Sequence, residues 1–367
     1  MAWRKSLDDP ATAIPPPPSA DRDRLRTLLG DALAGFADRI PDAMARELLH
    51  GDHGFLAPYQ LSAALLSRLT PAMRAWQTPD VLRAIYPETP LSRTRMQPIA
   101  GALAAVGCRA FPAFCHFPYI PVAHMAEGRG EAPLIVAVHG SSRNAKDLRD
   151  GFAAFAERLG CFVLAPLFPM DLDTSVPDEE YKQLVGDRLR YDQVVWAMVE
   201  ELSAAVRTRF SDILLFGFSG GAQFAQRLLY VDPGRLTAVA LGAPSYVTSP
   251  STVRGWWSGL GDFERVFGKP VDWTALRRVP VQIQCGTEDR LDCDIYSAEE
   301  MAMDAPAYVA YGRTRLDRAR LLQDDYEGVG MASRLELIAG AVHAWSPHVE
   351  TAKPFFERIL RGGDASI

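Results

Sequence analysis

The residues Gly217-Phe218-Ser219-Gly220-Gly221 decide the fold that this chain of 367 residues predicts. The apolar run Ile213–Phe216 before them is typical of a buried strand, and the segment Ala222–Tyr230 after them has a helical pattern. A G-x-S-x-G sequence between a strand and a helix predicts a sharp turn that holds one serine hydroxyl clear of the backbone. The glycines fit because this turn leaves no room for β-carbons beside the strained serine. Ser219 is therefore a candidate nucleophile.

The composition is that of a water-soluble globular protein, with 48% hydrophobic and 23% charged residues. The net charge of −6 and the lack of a basic tract argue against a nucleic-acid partner. No apolar stretch is long enough to cross a bilayer, and the N-terminus runs into the tract Pro15–Pro18 instead of an apolar signal core. Five scattered cysteines indicate reduced thiols, although Cys285 and Cys293 could pair in an exported protein. We expect a cytoplasmic protein without a membrane partner.

The chain divides into three regions by its sequence patterns. Residues 1–19 predict a flexible proline-rich leader. Residues 20–107 predict short helices separated by prolines, the last of them over Arg95–Val106. This helical region could cap a binding site, form a homodimer interface, or do both. Residues 108–367 form the third region, in which strands and helices alternate.

The alternation after residue 108 predicts an α/β fold with a mostly parallel central sheet and helices on both faces. Functional residues in such sheets lie at the carboxyl ends of the strands. The predicted strands are Phe114–Ala123, Leu134–His139, Phe162–Ala165, Ile213–Phe216, Ala238–Leu241, Val281–Cys285 and Arg334–Ile338. The predicted helices are Ala145–Leu159, Tyr191–Phe210, Gly221–Tyr230 and Tyr296–Ala302.

A serine nucleophile needs a base within hydrogen-bonding distance and a third group that orients the base. In enzymes that place a serine on this kind of turn, an acid and then a histidine follow it along the chain. Asp289 follows the strand Val281–Cys285, and His343 follows the strand Arg334–Ile338. We assign His343 as the general base and acid and Asp289 as its orienting carboxylate.

Other residues near these two could take the same roles. His348 is the rival histidine, but it precedes Glu350 on a polar stretch that predicts a solvated surface. The acidic cluster around Asp289 could instead be a solvated loop or a cation site. The rival acids in that cluster are Glu288, Asp292 and Asp294.

Acyl transfer to a serine also requires two backbone N–H groups that stabilise the negative charge on the former carbonyl oxygen. One is expected from Gly220, which follows the nucleophile. The other is expected from the loop after the strand Leu134–His139, where we assign it to Ser141. The mechanism requires neither a cofactor nor a metal ion.

Two sequence stretches resemble a known group of enzymes. The segment Val138-His139-Gly140-Ser141-Ser142-Arg143-Asn144-Ala145, followed by Ala165-Pro166-Leu167-Phe168-Pro169, is similar to the poly(3-hydroxybutyrate) depolymerase-like esterases of the α/β-hydrolase superfamily. The resemblance covers roughly residues 113 to 362. It implies an α/β-hydrolase fold and a serine esterase that works through an acyl-enzyme, with Ser219, Asp289 and His343 as its triad.

The insertion 243–279, between two predicted strands, corresponds to the interval that holds a lid in this fold. Its aromatic residues suit apolar acyl or aryl groups, although they could equally pack the insertion onto the body. We expect one of Trp256 and Trp257 to face the substrate pocket. Phe168 is expected to line the same cleft, and Trp345 to pack against the histidine loop or the substrate.

These patterns predict hydrolysis of a small, largely apolar carboxylic ester or thioester. A polymer is a poorer candidate because the polymer depolymerases of the group are commonly exported and disulfide-bonded. The same triad could instead serve an acyltransferase, a cyclase or a C–C bond hydrolase. A non-catalytic interaction protein on the same fold is the third alternative, because a fold does not determine a function.

Overall fold

The computed structural model describes residues 100–122, 124, 130–170, 172, 180–289 and 310–362. The predicted leader 1–19, most of the predicted helical region 20–107 and the predicted helix Tyr296–Ala302 lie outside these residues. Within the described residues, 100–110 belong to the same compact unit as the central sheet.

The described strands form one sheet of nine strands, in the order β1-β3-β5-β4-β6-β7-β8-β9, with β2 also paired to β3. In this spatial order, each neighbouring pair of strands from β5 to β9, β4 included, is parallel. Strand β3 runs antiparallel to β1, β2 and β5. The strands are β1 (Gly101–Ala102), β2 (Val106–Gly107), β3 (Cys115–Ile120), β4 (Gly130–Val138), β5 (Phe162–Leu167), β6 (Thr208–Phe218), β7 (Ala238–Gly242), β8 (Val281–Gly286) and β9 (Ser333–Ile338). The predicted mostly parallel sheet is confirmed.

Helices cover both faces of this sheet. In the described residues they are α1 (Ala145–Leu159), α2 (Tyr191–Val206), α3 (Gly220–Val231), α4 (Phe263–Phe267), α5 (Trp273–Leu276), α6 (Arg315–Gly328) and α7 (Trp345–Leu360). The core lies between the sheet and the helices on each of its faces, since every residue of β3, β5, β7 and β8 is buried. Strands buried on both faces read as continuous apolar runs, which is why the sequence predicts most of them.

Two of the predicted boundaries differ from the structure. The helix predicted over Tyr191–Phe210 ends at Val206, where Arg207 takes a left-handed conformation with φ of 55°. The following residues Thr208–Phe210 extend β6, because they pair with residues 130–132 at the start of β4. The helix predicted over Arg95–Val106 does not extend through residues 100–106, where β1 and the start of β2 pair with β3. The sheet therefore begins before the predicted boundary at residue 107.

Helices α1 and α7 pack against each other on one face of the sheet. The Arg158 guanidinium on α1 donates two hydrogen bonds of 2.8 Å to the Glu357 carboxylate on α7. Closer to the start of α7, the Trp345 ring lies so near Gly151 of α1 that a β-carbon at Gly151 would come within 2.9 Å of it. These helices follow the two loops that border the candidate site.

Candidate active site

The turn between β6 and α3 presents Ser219 at the carboxyl end of the sheet. Ser219 has φ of 54° and ψ of −117°, a conformation that a non-glycine residue rarely adopts. Its N–H donates to the carbonyl of Gly242 at the end of β7, at 2.8 Å. Two glycines allow the turn to close: a β-carbon at Gly217 would lie 2.1 Å from the Gly221 carbonyl oxygen, and one at Gly221 would lie 2.1 Å from the Val138 carbonyl oxygen.

Ser219, His343 and Asp289 lie in one chain of hydrogen bonds. The Ser219 Oγ is 3.0 Å from Nε2 of His343, and Nδ1 of His343 is 2.7 Å from Oδ2 of Asp289. Asp289 lies in the loop after β8 and His343 in the loop after β9, so neighbouring parallel strands deliver both to the edge where Ser219 lies. This arrangement can transfer a proton from the serine hydroxyl to the imidazole while the carboxylate fixes the imidazole tautomer.

The Asp289 side chain is fully buried and has a second partner. Its Oδ1 accepts a hydrogen bond of 3.0 Å from Nη1 of Arg315, the first residue of α6. Burial by itself would raise the pKa of Asp289, but hydrogen bonds and charge interactions with His343 and Arg315 outweigh it and lower the pKa below its usual value. The carboxylate is therefore ionised at neutral pH.

Neither Glu288 nor His348 occupies these positions. Glu288 is exposed to solvent, and Asp292 and Asp294 lie outside the described residues. The prediction that His348 lies on a solvated surface was wrong: its side chain is fully buried in α7, and its ring packs 5.1 Å from that of Phe218. Its Nδ1 lies 2.8 Å from the carbonyl oxygen of Ala344, one turn earlier. The buried face of α7, which His348 shares with Val349, places it inside.

The loop after β4 lies against the nucleophile turn. A β-carbon at Gly140 would come within 3.2 Å of the Ser219 β-carbon. The Gly140 carbonyl accepts from the Arg143 N–H at 3.1 Å and lies 2.7 Å from Nδ1 of His139. Because the N–H and C=O of a trans peptide point in opposite directions, fixing this carbonyl also fixes the direction of the Ser141 N–H.

His139 is neutral and held in one tautomer. Its Nε2 accepts a hydrogen bond of 3.0 Å from the Phe168 N–H, so its Nδ1 carries the proton that is donated to Gly140. Burial lowers the pKa of His139 to about 3. His139 therefore stabilises the predicted oxyanion loop through hydrogen bonds that its buried ring makes. The sequence pattern predicts the loop but does not indicate this role of His139.

Three buried histidines are expected to make folding sensitive to acid. Burial lowers the pKa of His139 to about 3 and the pKa values of His116 and His348 to about 4, from 6.5. Below pH 6.5 the unfolded chain binds protons that the folded chain does not, so stability falls as the pH falls toward 4. At pH 5 each histidine should cost about 2 kcal/mol of unfolding free energy. Urea unfolding at pH 7 and pH 5 measures this loss.

His116 allows the same prediction to be checked on one residue. It lies buried on β3, and neither ring nitrogen has a hydrogen-bond partner among the described residues. The substitution His116→Leu should therefore remove about 2 kcal/mol of the difference in stability between pH 7 and pH 5. An undiminished difference in this variant, or equal stability of the wild type at both pH values, would contradict the prediction.

The four residues predicted to line the pocket have other contacts. Phe168 is fully buried and stacks on Tyr181 with ring centroids 5.1 Å apart, so it belongs to the core, which corrects the prediction that it lines the cleft. Trp345 packs on Gly151 of α1. Trp256 lies 4.6 Å from the Phe267 ring, and Trp257 lies under the Arg227 guanidinium at 5.0 Å.

The insertion 243–279 is joined to a short turn beside the nucleophile. The Nε1 of Trp256 donates to the Gln183 carbonyl at 3.0 Å, at the end of the 3-10 turn Glu180–Gln183. On the other side of this turn, a β-carbon at Gly220 would lie 2.6 Å from the Tyr181 hydroxyl and 2.8 Å from Cε of Lys182. The insertion therefore adjoins the nucleophile turn through this 3-10 turn.

The sequence does not indicate a role for Arg315 at the site, although the residues around it predict a helix start. The pair Thr314 and Asp317 forms a capping box, whose sequence predicts a helix start. A cation in the first turn of a helix opposes the helix dipole, so a residue such as Arg315 at that position requires another partner. The sequence does not identify that partner, because Asp289 is distant along the chain.

The described residues contain no group of three or more His, Cys, Asp or Glu side chains placed to bind a metal ion. None of the helices in this part of the chain combines the length and the apolar composition needed to cross a membrane.

Solved structures with a similar fold include two hydrolases. One is LpqC, a poly(3-hydroxybutyrate) depolymerase from Bordetella parapertussis, with 22% sequence identity and a TM-score of 0.56 over 72% of this chain and 95% of that chain. The other is poly(aspartic acid) hydrolase-1 from Sphingomonas sp. KT-1, with 20% identity and a TM-score of 0.56 over 70% and 98% of the two chains. No protein-family model and no curated protein matches the sequence. At these identities the similarity shows the fold.

Proposed function

Because the chain has the α/β-hydrolase fold, we propose that it is a serine esterase that cleaves a small, largely apolar carboxylic ester or thioester through an acyl-enzyme. One observation carries the proposal: the hydrogen-bond chain from the Ser219 hydroxyl through His343 to Asp289, with distances of 3.0 and 2.7 Å. Similar chains of Ser, His and acid recur on unrelated folds because the geometry itself activates the serine.

The reaction follows from this geometry in two halves. The Ser219 Oγ attacks the carbonyl carbon while His343 Nε2 takes its proton, and the resulting imidazolium is stabilised by Asp289. His343 then gives that proton to the leaving alcohol or thiol as the bond to the acyl carbon breaks. In the second half, His343 takes a proton from water, which attacks the acyl carbon, and then gives this proton to Ser219 Oγ as the bond between Oγ and the acyl carbon breaks, so that the acid and the free serine are released.

We assign the oxyanion hole to the N–H groups of Ser141 and Gly220. Among the described residues neither N–H has a hydrogen-bond acceptor, and the close approach of Gly140 to Ser219 supports the assignment of Ser141. The hydrogen bond from His139 to the Gly140 carbonyl keeps the Ser141 N–H fixed before substrate binds. Preorganised donors of this kind are worth about 3 kcal/mol each in transition-state stabilisation.

Exposed apolar side chains at the same sheet edge support a largely apolar substrate. Met170, after β5, is 41% exposed, and Val342, next to His343, is 57% exposed. Exposed apolar groups beside a reactive centre favour contact with an apolar acyl or alcohol group. We also propose that the insertion 243–279 covers the site, since Trp256 ties it to the turn that contacts Gly220. A homodimer through residues 20–107 and a cytoplasmic location remain predictions.

Covalent labelling tests the proposed function directly. A fluorophosphonate probe should form one adduct with the native protein, and peptide mass spectrometry should place that adduct on Ser219. Rapid mixing with p-nitrophenyl butyrate should show a burst of nitrophenol as the acyl-enzyme accumulates. The heat-unfolded protein is the control and should not be labelled. Absence of both labelling and turnover in the native protein would refute the proposal, and transfer of the butyryl group to added alcohol in preference to water would identify an acyltransferase.

A further inference from the structure

The Asp289 carboxylate divides its two oxygens between two cationic or potentially cationic partners. Oδ2 is bound by His343 at 2.7 Å, and Oδ1 is bound by Arg315 at 3.0 Å. The Asp289 side chain is fully buried, and the Arg315 side chain is 11% exposed, so water screens this pair weakly. The hydrogen-bond chain that begins at Ser219 therefore ends at Arg315.

Local structure does not account for an arginine at this position. Arg315 is the first residue of α6, where the helix dipole disfavours a positive charge. The start of α6 is already fixed by the Thr314–Asp317 capping box, in which the Asp317 N–H donates to Thr314 Oγ1 at 3.2 Å. The Nε of Arg315 is buried without a hydrogen-bond partner among the described residues. A positive charge at this position destabilises the helix, and burial of Nε is unfavourable for the guanidinium. The ion pair with Asp289 offsets both costs.

We infer that Arg315 is a positioning residue of the esterase site, which fixes the orientation of the Asp289 carboxylate and balances part of its charge next to His343. This inference rests on the proposed function. The guanidinium holds Oδ1, so the carboxylate cannot rotate and Oδ2 stays directed at Nδ1 of His343. The positive charge of Arg315 offsets part of the negative charge on Asp289. The imidazolium formed during the reaction is therefore stabilised, but it can still release its proton to the leaving group.

The charges around this pair leave Arg315 as the group that balances Asp289. Among the described residues, hydrogen bonds and charge interactions with His343 and Arg315 lower the pKa of Asp289. His348 lies beneath His343 in α7 and adds no charge at neutral pH, because burial lowers the pKa of His348 to about 4. Glu288 is adjacent in sequence but exposed, so solvent screens its charge.

The substitution Arg315→Met tests the inference. It removes the charge and the hydrogen bond and keeps an unbranched side chain. We expect kcat for p-nitrophenyl butyrate to fall by about tenfold to a hundredfold, with KM nearly unchanged. The acid limb of the kcat/KM profile should move to higher pH by about one pH unit, because an uncompensated carboxylate stabilises the protonated imidazole. Arg315→Lys should restore the limb and only part of kcat, because lysine supplies the charge without the planar guanidinium.

The control is Arg320→Met, which makes the same change on the same helix at an exposed position and should leave activity and pH profile unchanged. All rates are expressed per active site titrated with a fluorophosphonate. A purely structural role for Arg315 would reduce the titrated fraction and leave the limb in place, and that result overturns the inference. If Arg315→Met does not fold, Arg315→Gln and Arg315→Lys are compared in the same way. A wild type without esterase activity overturns the proposed function as well.

Discussion

Replacement of Ser219 by alanine is expected to lower kcat for ester hydrolysis by about a millionfold. The substitution removes the only atom in the hydrogen-bond chain that can attack a carbonyl carbon. His343 then has no nucleophile from which to take a proton. His343 and Asp289 therefore no longer contribute to the attack on the ester. A residual rate above that of water is expected, because the oxyanion donors still bind the transition state. The measurement is the steady-state rate with p-nitrophenyl butyrate, together with fluorophosphonate labelling.

A serine on the strand that precedes Ser219 provides the control. Ser211 lies near the other end of β6, is exposed, and its Oγ donates to Asp212. The substitution Ser211→Ala should keep full activity and full labelling. Activity of Ser219→Ala within tenfold of the wild type would contradict the proposal that Ser219 is the nucleophile.

Replacement of Asp289 by asparagine is expected to lower kcat by about ten-thousandfold while the fold is kept. An asparagine amide can donate to Nδ1 of His343, which then holds the proton on Nε2. In that tautomer Nε2 cannot accept the proton of Ser219. The new amide also leaves the charge of Arg315 without its buried counterion, which adds a cost in stability. Steady-state kinetics and urea unfolding of the variant measure these two effects separately.

The neighbouring carboxylate is the control for this variant. Glu288→Gln makes the same chemical change one residue away at an exposed position, and its kcat should stay within about twofold of the wild type. Equal losses in Glu288→Gln and Asp289→Asn would show that the general charge of the loop, and not the hydrogen bond to His343, supports activity.

The strands and the nucleophile turn could be predicted because their determinants are local. Each central strand is an apolar run buried on both faces, and the turn at Ser219 requires its glycines at fixed offsets. The order of acid and histidine after the serine then pointed to Asp289 and His343, since each follows a predicted strand. The structure brings these three residues into hydrogen-bonding distance.

The remaining features depend on contacts between distant segments. Arg315 could not be paired with Asp289, because no pattern in the sequence links a helix start to a loop after another strand. The polar neighbours of His348 predict a solvated surface, whereas His348 lies on the buried face of α7. Phe168 follows directly after a strand, and its burial depends on aromatic residues from other elements, such as Tyr181.

The contact of Trp345 with Gly151 links the starts of two helices that follow loops of the site. Helix α1 begins just after the proposed oxyanion loop, and α7 begins just after the loop of His343. A side chain at position 151 has no room beside the Trp345 ring, so a larger residue there would push the start of α7 away from α1. Such a change would displace the loop of His343 and disturb the catalytic geometry from outside the site.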